Sequence, residues 1–532
     1  MEEEASRHSV ALVLDFGSQY THLITRRIRQ LGVCSFCLSA AEASLDAVAK
    51  LAPSLILLSG GPHSVYEPGA PSVPPGFFDY VRDRGVPVVG ICYGLQLIVA
   101  QMGGSVEPAA NREYGSMDVV PVAGSVLYGD DDSTQSVWMS HGDEVVEMPR
   151  GFVVVARSVQ GSIAAIENPD LGIYALQYHP EVSHSPKGID TLKRLLFEVG
   201  GLTDDWKVQD VLQEQIDLIA TTVGPDDHAI CALSGGVDST VAATIVHKVM
   251  GDRLHCVFVD NGLLRYKERE RVMETFKRDL HLPVVCVDAG SQFLAKLEGV
   301  VDPERKRKII GAEFIAVFDE FSRKLEQELG KKPKYLVQGT LYPDVIESCP
   351  PPGVVGHSHT IKSHHNVGGL PPSMKLLLLE PLKWLFKDEV RKLGKLLGIP
   401  EGFLKRHPFP GPGLAVRVIG GDVTEENLET LRLVDEVFTA SIKEAGLYDE
   451  MWQAFAGILP VKTVGVQGDK RTHSGSVVLR AVTSEDGMTA ERYTFKREFL
   501  DQVTREICNT VVDVNRVFYD LTSKPPATIE WE

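Results

Sequence analysis

The chain has 532 residues, 43% of them hydrophobic, so it is long enough for roughly three or four globular domains with large cores. Its 54 basic and 72 acidic side chains give a formal net charge of -18, which disfavours nucleic-acid partners and anionic membrane surfaces. The sequence has no apolar run of membrane-spanning length, and residues 1–9 (MEEEASRHS) do not resemble a targeting signal, so we expect a soluble cytoplasmic protein.

The first two hundred residues alternate strand and helix patterns. Strands are predicted at 11–16, 54–58 and 86–91, and helices at 18–31 and 93–102. This alternation indicates an α/β domain with a largely parallel sheet. The β-branched runs at 117–122 and 152–156 predict an antiparallel extension, and a closing helix is predicted at 187–199. We predict that the first domain covers residues 8–201.

A cysteine lies between two glycines in the segment GICYGLQ, where a predicted strand meets a predicted helix. Gly90 and Gly94 relieve crowding around Cys92, and the following helix N-terminus favours its thiolate, so Cys92 is a candidate nucleophile. The segment YHPE supplies His179 as the base and Glu181 as the group that fixes its tautomer. Taken alone, the cysteine pattern also fits a small core residue.

An oxyanion formed near Cys92 needs backbone donors. Gly60 and Gly61 follow a predicted strand in the segment SGGP, and their N–H groups can point at this site together with that of Tyr93. With SGGP, GICYGLQ and YHPEV all present, residues 8–201 resemble a class I glutamine amidotransferase domain. The resemblance implies that Cys92, His179 and Glu181 hydrolyse the amide of glutamine and release ammonia.

A second alternating series begins near residue 206. Its predicted elements are helices at 210–222, 239–250, 267–280 and 305–329, and strands at 228–233, 254–259, 282–287 and 335–338. They indicate a second doubly wound α/β domain, residues 202–406. The Pro- and Gly-rich segment 401–414 marks the start of a third, α+β domain at 407–532.

A glycine-rich loop lies between the strand at 228–233 and the helix that follows it. Its residues are Ser234, Gly235, Gly236, Val237, Asp238, Ser239 and Thr240. Backbone N–H groups at a helix N-terminus bind anions, and Asp238 can hold a metal ion beside a bound phosphate. The alternative is a simple turn capped by Ser239. The loop resembles that of the pyrophosphatases that split ATP between its α and β phosphates, and the chain lacks the GxxxxGK[ST] motif of γ-phosphate-transferring enzymes.

Further residues are candidates for the nucleotide site. Lys362, Lys387 and Arg265 can neutralise phosphate charge, while Asp344 and Glu347 lie three residues apart and can bind Mg²⁺ or orient the acceptor. We predict Mg²⁺, accompanying ATP, as the cofactor. The segment 348–373 loses all periodicity and is predicted to be a mobile flap; its four histidines lack the partners of a zinc site.

Motifs outside these two sites narrow the choice of acceptor. The segments KRKIIG (306–311), GTLYPDVIES (339–348), IKSHHNVGGLP (361–371), RHPFPGPGLAVRV (406–418), GVQGDKR (465–471) and SKPPATIEWE (523–532) resemble the family of glutamine-hydrolysing GMP synthases. That resemblance implies conversion of XMP, ATP and glutamine into GMP, AMP, pyrophosphate and glutamate, and a homodimer formed through the third domain. It also implies XMP contacts from Arg307, Gln453, Lys524, Ile529 and Glu530.

Two other functions remain open from the residues alone. The same machinery could serve another acceptor, such as deamido-NAD or a tRNA base, although a tRNA partner predicts a basic surface. A nucleotide-responsive binding protein built on an inactive amidotransferase domain predicts a broken triad. Cys92, His179 and Glu181 are all present.

Overall fold

The computed structural model describes residues 5–182, 184–347, 376–484 and 489–532, without the side chains of residues 110, 111, 346 and 347. The chain folds into two compact units, the first mainly from residues up to 211 and the second mainly from residues beyond 211. None of the helices in these described ranges has the length and apolar character needed to cross a bilayer.

The first unit is built on one large mixed sheet. Its strands are β1 (Val10–Asp15), β2 (Cys34–Ser39), β3 (Leu55–Leu58), β4 (Val88–Ile91), β5 (Ser105–Pro121), β6 (Gln135–Glu147), β7 (Val153–Ser158), β8 (Ile163–Asn168) and β9 (Ile173–Leu176). Its helices are α1 (Thr21–Gln30), α2 (Leu45–Leu51), α3 (Phe77–Arg84), α4 (Tyr93–Gln101) and α5 (Gly188–Lys193).

The strand order is β2-β1-β3-β4-β9-β8-β7-β5-β6. The first five strands in this order are parallel, and the remaining four extend the sheet through antiparallel pairs. Strands β3 and β4 are buried along their whole length, as expected for strands covered on both faces. The predicted parallel sheet with an antiparallel extension is confirmed. Strand β2 was not predicted, and the predicted helix 187–199 ends as a π-helical turn at Arg194–Val199.

The second unit begins with another α/β arrangement. Its first strands are β10 (Ala229–Leu233), β11 (Leu254–Asp260), β12 (Val284–Asp288), β13 (Tyr335–Val337) and β14 (Leu377–Leu379). The helices of the chain from residue 208 to 404 are α6 (Val208–Thr222), α7 (Val237–Met250), α8 (Glu268–Glu274), α9 (Gly290–Leu297), α10 (Pro303–Leu329), α11 (Tyr342–Glu347), α12 (Lys387–Leu396) and α13 (Glu401–Leu404).

This second sheet is entirely parallel, in the order β12-β11-β10-β13-β14. The order reverses next to β10: β11 and β12 lie on one side of it and β13 and β14 on the other. Ligands of such sheets bind at the carboxyl ends of the strands where the order reverses. The loops after β10 and β13 therefore frame the expected ligand crevice, and the predicted second doubly wound sheet is confirmed.

The carboxyl-terminal part of the second unit is α+β, as predicted. Its elements are β15 (Gln453–Gln467), β16 (Lys470–Thr483), β17 (Glu491–Arg492), β18 (Val514–Tyr519), α14 (Glu425–Glu444) and α15 (Arg497–Thr510). Strand β16 pairs with the other three strands.

One hydrophobic core joins the two parts of the second unit. Phe293 and Ile310, which precede residue 407, share a buried cluster with Leu431, Phe438 and Leu479, which follow it. The domain boundary that we predict at residue 407 therefore lies inside a region with a common core. The three-domain division stays a prediction.

Candidate active sites

The candidate nucleophile lies at a strained turn between β4 and α4. Cys92 has φ +54° and ψ -105°, a conformation that residues with a side chain rarely adopt. A Cβ atom on Gly94 would lie 2.3 Å from the carbonyl oxygen of Leu58, and one on Gly90 would lie 2.6 Å from the backbone of Gly94. Glycine is therefore required at both positions for the strand, the turn and the helix to pack this closely.

Cys92 contacts the end of β9 and the strand that carries Ser140. Its backbone N–H donates to the carbonyl of Leu176 at 2.7 Å, which ties the turn to the end of β9. Its sulfur lies 3.7 Å from the amide nitrogen of Gln177 and 3.7 Å from the carbonyl oxygen of Ser140. Cys92 is only 6% exposed. The turn therefore presents the sulfur to an enclosed polar site.

The predicted base and its partner form a short, buried pair. Nδ1 of His179 lies 2.7 Å from Oε1 of Glu181, and both residues are buried. The backbone N–H of His179 donates to Trp138 at 3.0 Å, and the hydroxyl of Ser185 donates to the His179 carbonyl at 2.6 Å. These hydrogen bonds fix the imidazole ring of His179 through Nδ1 and the backbone of His179 through its N–H and carbonyl groups.

The electrostatics of His179 favour the protonated ring. Burial opposes the charge, but the Glu181 carboxylate and the hydrogen bond with Cys92 raise the pKa of the imidazole well above its ordinary value. A protonated imidazole beside the sulfur stabilises a thiolate. The structure thus brings Cys92, His179 and Glu181 together with the charges that a nucleophilic cysteine needs.

The candidate oxyanion donors lie beside this pair. Gly60 and Gly61 follow β3, and a Cβ atom on Gly60 would lie 3.2 Å from Cε1 of His179. A Cβ atom on Gly61 would lie 2.7 Å from the carbonyl oxygen of Phe16. Tyr93 is the first residue of α4, so its N–H belongs to the helix N-terminus next to the sulfur. Their role as oxyanion donors remains a prediction.

The sequence did not single out Gln177 or Tyr20. The Tyr20 ring meets the His179 ring edge-on, with centroids 4.9 Å apart. Gln177 precedes His179 by two residues, but its contact with Cys92 depends on how β9 lies beside the turn. No pattern local to either residue predicts these contacts.

The Ser234 loop joins β10 to α7 in the predicted geometry. Gly235 has φ +77°, and Gly236 is the residue before the first turn of α7. The hydroxyls of Ser234 and Ser239 lie 3.0 Å apart, and the Thr240 hydroxyl donates to the Gly236 carbonyl at 2.8 Å. Val237 is the buried first residue of α7. The loop is therefore closed by its own side chains at a helix N-terminus.

Asp238 pairs with Lys387, the first residue of α12. Its other oxygen, Oδ1, is buried and has no hydrogen-bond partner within the described part of the chain. A Cβ atom on Gly339, in the loop after β13, would lie 2.9 Å from the Asp238 backbone. Two sequence-predicted residues, Asp238 and Lys387, therefore meet in the crevice that the strand order predicts.

An unpredicted arginine closes the other side of this loop. Arg406 donates from Nη1 to the carbonyl of Gly235 at 3.0 Å and forms an ion pair with Glu268 in α8. Arg265, a candidate phosphate cation, instead lies 3.6 Å from the carboxylate of Asp435 and over the ring of Phe409.

The structure says little about the surroundings of three residues predicted at the nucleotide site. Asp344 lies in the first turn of α11. Glu347 ends that helix, and its side chain is outside the described atoms. Lys362 and the predicted flap at 348–373 lie outside the described residues. Where the structure describes side chains, it contains no group of three or more metal-ligating residues.

Two of the five residues predicted to bind the acceptor XMP, Gln453 and Glu530, contact each other directly. Nε2 of Gln453 donates to Oε1 of Glu530 at 2.6 Å. Arg417 donates to both oxygens of the same carboxylate, at 2.9 Å and 3.2 Å. The carbonyl of Ile529 accepts from Arg480 at 2.8 Å.

The remaining two predicted XMP contacts, Lys524 and Arg307, are related to the carboxyl-terminal segment in different ways. The backbone of Lys524 pairs with that of Ala490 in both directions, at 2.7 Å and 2.9 Å. Arg307 lies in α10, next in sequence to Lys306, whose ammonium binds the carboxylate of Glu532 at 2.7 Å. The carboxyl-terminal segment is thus anchored by side chains from several parts of the unit.

The three cations that hold this segment were missed from the sequence. Lys306, Arg417 and Arg480 are almost completely buried, each paired with the segment. A signal exists for two of them. Arg417 lies in the apolar run LAVRV and Arg480 in VVLRAV, and a charge inside a buried run must have a partner.

Two family models match the chain. Residues 12–199 match a model described as glutamine amidotransferase class-I, and residues 440–531 match one described as GMP synthase C terminal domain. The predicted assignment of the amidotransferase region is thereby confirmed.

Full-length relatives agree with these models. The chain is 51% identical to a protein of Carboxydothermus hydrogenoformans over 98% of its own length and 100% of the relative. It is 51% identical to a protein of Aquifex aeolicus over 98% and 99%, and 50% identical to one of Bradyrhizobium diazoefficiens over 99% and 94%. All three are named GMP synthase (glutamine-hydrolyzing).

Proposed function

The chain belongs to the family of glutamine-hydrolysing GMP synthases, and from this premise we propose which of its residues carry each step. The enzyme is a ligase that makes GMP from XMP. ATP adenylates the xanthine base, and ammonia released from glutamine displaces AMP. The products are GMP, AMP, pyrophosphate and glutamate.

Cys92 attacks the amide carbon of glutamine in the proposed glutaminase step. His179 takes the thiol proton and gives it to the ammonia that leaves as the C–N bond breaks, and Glu181 holds the ring in position. Water then hydrolyses the thioester on Cys92, which releases glutamate and restores the thiol. Gly60, Gly61 and Tyr93 supply backbone N–H groups to the oxyanion. The observation that carries this assignment is the 2.7 Å contact between His179 and Glu181 beside the strained turn at Cys92.

The Ser234 loop binds the phosphates that leave as pyrophosphate. Its support is the position of the loop at the N-terminus of α7 and at the reversal of strand order. Lys387 and Lys362 neutralise phosphate charge in this proposal. Lys387 is paired with Asp238 in the structure, so ATP and its metal ion would replace that ion pair.

Magnesium is part of the same proposal. Oδ1 of Asp238 is a buried carboxylate oxygen with no hydrogen-bond partner among the described residues, which suits a hard cation. Mg²⁺ is usually held by one or two carboxylates together with substrate phosphates rather than by a cluster of protein ligands. Asp344 and Glu347 are the further candidates for the metal or the acceptor. When bound, the ion would neutralise phosphate charge.

The acceptor XMP is assigned to Arg307, Gln453, Lys524, Ile529 and Glu530. Cationic Arg307 and Lys524 suit its phosphate, and the Glu530 carboxylate can accept from a base or ribose donor. The contact between Gln453 and Glu530 supports a shared site.

A homodimer through the carboxyl-terminal region and a cytoplasmic location complete the proposal. Strand β15 exposes Val464 and Val466, and β18 exposes Phe518. Large apolar side chains exposed on the strands of a sheet favour a protein partner. Light scattering of the purified protein tests the dimer, and a mass of one chain would contradict it.

One assay tests the chemistry. Purified protein is incubated with XMP, ATP and Mg²⁺, with either glutamine or ammonium as the nitrogen source, and GMP, AMP and pyrophosphate are measured. We expect all three products with either source. Pyrophosphate release with deamido-NAD or a tRNA in place of XMP would contradict the acceptor assignment.

A further inference from the structure

A buried arginine binds both oxygens of the Glu530 carboxylate. Arg417 donates through Nη2 to Oε1 at 2.9 Å and through Nε to Oε2 at 3.2 Å, the two-bond geometry that best fixes the plane of a carboxylate. Gln453 adds a third donor on Oε1 at 2.6 Å. Glu530 itself is partly exposed, with 21% of its side chain accessible, so a ligand can reach it.

Two aromatic rings pack against Arg417. Its guanidinium carbon lies 4.3 Å from the ring centroid of Phe455 and 5.3 Å from that of Phe409. The side chain is 1% exposed. Aromatic faces attract a cation and leave its edge free to donate, so the rings set the direction of the guanidinium without competing for its N–H groups.

A second carboxylate balances the charge on the far side. Oδ1 of Asp435 lies 3.8 Å from Nη1 of Arg417 and accepts the backbone N–H of Ala456 at 3.0 Å. Asp435 is 2% exposed. Arg417 therefore lies between a buried, fixed carboxylate and a partly exposed one.

We propose that Arg417 is a positioning residue of the acceptor site, which acts on XMP only by orienting the carboxylate of Glu530. The inference rests on the proposed role of Glu530 in binding XMP. Arg480 differs from Arg417 in what it holds: it donates to the backbone carbonyls of Thr528 and Ile529 and pairs with Asp520, so it anchors the backbone of the segment.

The variant Arg417→Lys keeps the charge and removes the two-bond geometry. Losing one charge-assisted hydrogen bond costs about tenfold in affinity, so we expect KM for XMP to rise about tenfold while kcat changes by less than about twofold. A purely structural role would lower the amount of active enzyme, and therefore kcat, without moving KM. Thermal unfolding of the same preparation reports folding, and the exposed Arg323→Lys serves as the matched control, with no change expected.

The double variant Arg417→Lys with Glu530→Gln tests whether Arg417 acts through Glu530. If it does, KM for XMP of the double variant equals that of Glu530→Gln alone within about twofold. Multiplied effects of the two single changes would overturn the inference. If Arg417→Lys does not fold, Phe409→Leu removes one of the two rings that pack against Arg417, and the same comparison with Glu530→Gln applies.

The single variants separate failure of the inference from failure of the proposed function. If Glu530→Gln leaves KM for XMP unchanged, the acceptor site itself is assigned wrongly. If Glu530→Gln raises this KM and Arg417→Lys does not, the acceptor site stands and the positioning role of Arg417 is wrong.

Discussion

The Cys92 turn and the Ser234 loop are both glycine-containing junctions between a strand and a helix, but they are prepared for their ligands differently. At Cys92 the groups proposed to react are buried, and the sulfur, imidazole and carboxylate already form one chain of contacts. At Ser234 the loop is partly exposed, its serine hydroxyls face each other, and Asp238 is occupied by Lys387.

The difference follows from the chemistry. A covalent nucleophile must be oriented before the substrate arrives, because misalignment directly costs rate. A phosphate site gains most of its strength from the charge of the ligand and of the metal that comes with it, so its own ion pairs can hold the loop until then. Changes at the Cys92 site should therefore abolish glutamine hydrolysis without affecting ATP-dependent amination. Changes at the Ser234 loop should have the reverse effect.

The largest effect is expected for Cys92→Ala. Without the nucleophile, glutamine-dependent GMP synthesis should fall by at least about 10⁴-fold, whereas ammonium-dependent synthesis should stay within about twofold. Parallel assays with glutamine and with ammonium measure both. Cys508→Ala, at a half-buried cysteine in α15, is the control, with both rates retained. Equal loss of the two activities in Cys92→Ala would contradict two separate sites.

Asp238→Asn should have the opposite effect on the two half-reactions. Loss of the carboxylate charge removes the proposed metal ligand, so pyrophosphate release should fall about a thousandfold while glutamine hydrolysis persists. Asp252→Asn, at an exposed aspartate after the other end of α7, controls for the loss of one charge. Normal pyrophosphate release from Asp238→Asn would show that the loop does not bind the leaving phosphates through this residue.

Gly94→Ala tests whether the strained turn depends on close packing. The added methyl would lie 2.3 Å from the Leu58 carbonyl oxygen, so α4 must shift. A shift near 1 Å at a nucleophile costs about a hundredfold in rate, and overpacking costs about 1–3 kcal/mol of stability. Glutaminase assays and thermal unfolding measure the two effects.

The matched control is Gly311→Ala in α10, where an added methyl meets no described atom beyond the adjacent helix backbone within 4 Å. We expect it to raise stability by about 0.5–1 kcal/mol, as in an exposed helix interior. Similar destabilisation by both changes would show that packing at Gly94 is not the cause.

The two junctions were predictable from the sequence because their signals are local. Each has glycines between an apolar run and a helix, and Cys92 and Asp238 lie within these motifs, whereas His179 was predictable from a second local motif, YHPE. The partners of Glu530 were not predictable in this way. Arg417 precedes it by more than a hundred residues, and its burial in an apolar run indicates that it has a partner without saying which one.

The same limit applies to details of the fold. Alternation of apolar and helical patterns predicted the two parallel sheets, but strand β2 was missed because Cys34–Ser39 contains no β-branched residue. The common core across residue 407 depends on contacts between Phe293 and residues far along the chain, such as Phe438. Such long-range contacts produce no periodic pattern in the sequence of either segment.

Two buried histidine side chains differ in their surroundings, and the difference affects how each responds to pH. His179 faces Glu181, which raises its pKa. His407 instead has neutral hydrogen-bond partners: its Nδ1 accepts the N–H of Ala454 at 3.2 Å, Nε2 lies 3.0 Å from the Tyr448 carbonyl, and its ring stacks on Tyr448. Burial lowers the pKa of His407 from 6.5 to about 4.

The smallest expected effect is on stability at acid pH. Between pH 6.5 and 4 the unfolded chain binds a proton at His407 that the folded protein does not, so this residue lowers stability as the pH falls, by up to about 3 kcal/mol. His407→Asn keeps an acceptor for Ala454 but cannot bind that proton. It should be less stable than the unaltered protein at pH 7.5, because it loses the stacking on Tyr448, and the gap in Tm should narrow steadily toward pH 4.5. A constant gap for His407→Asn would mean that the ring is not held neutral by its surroundings.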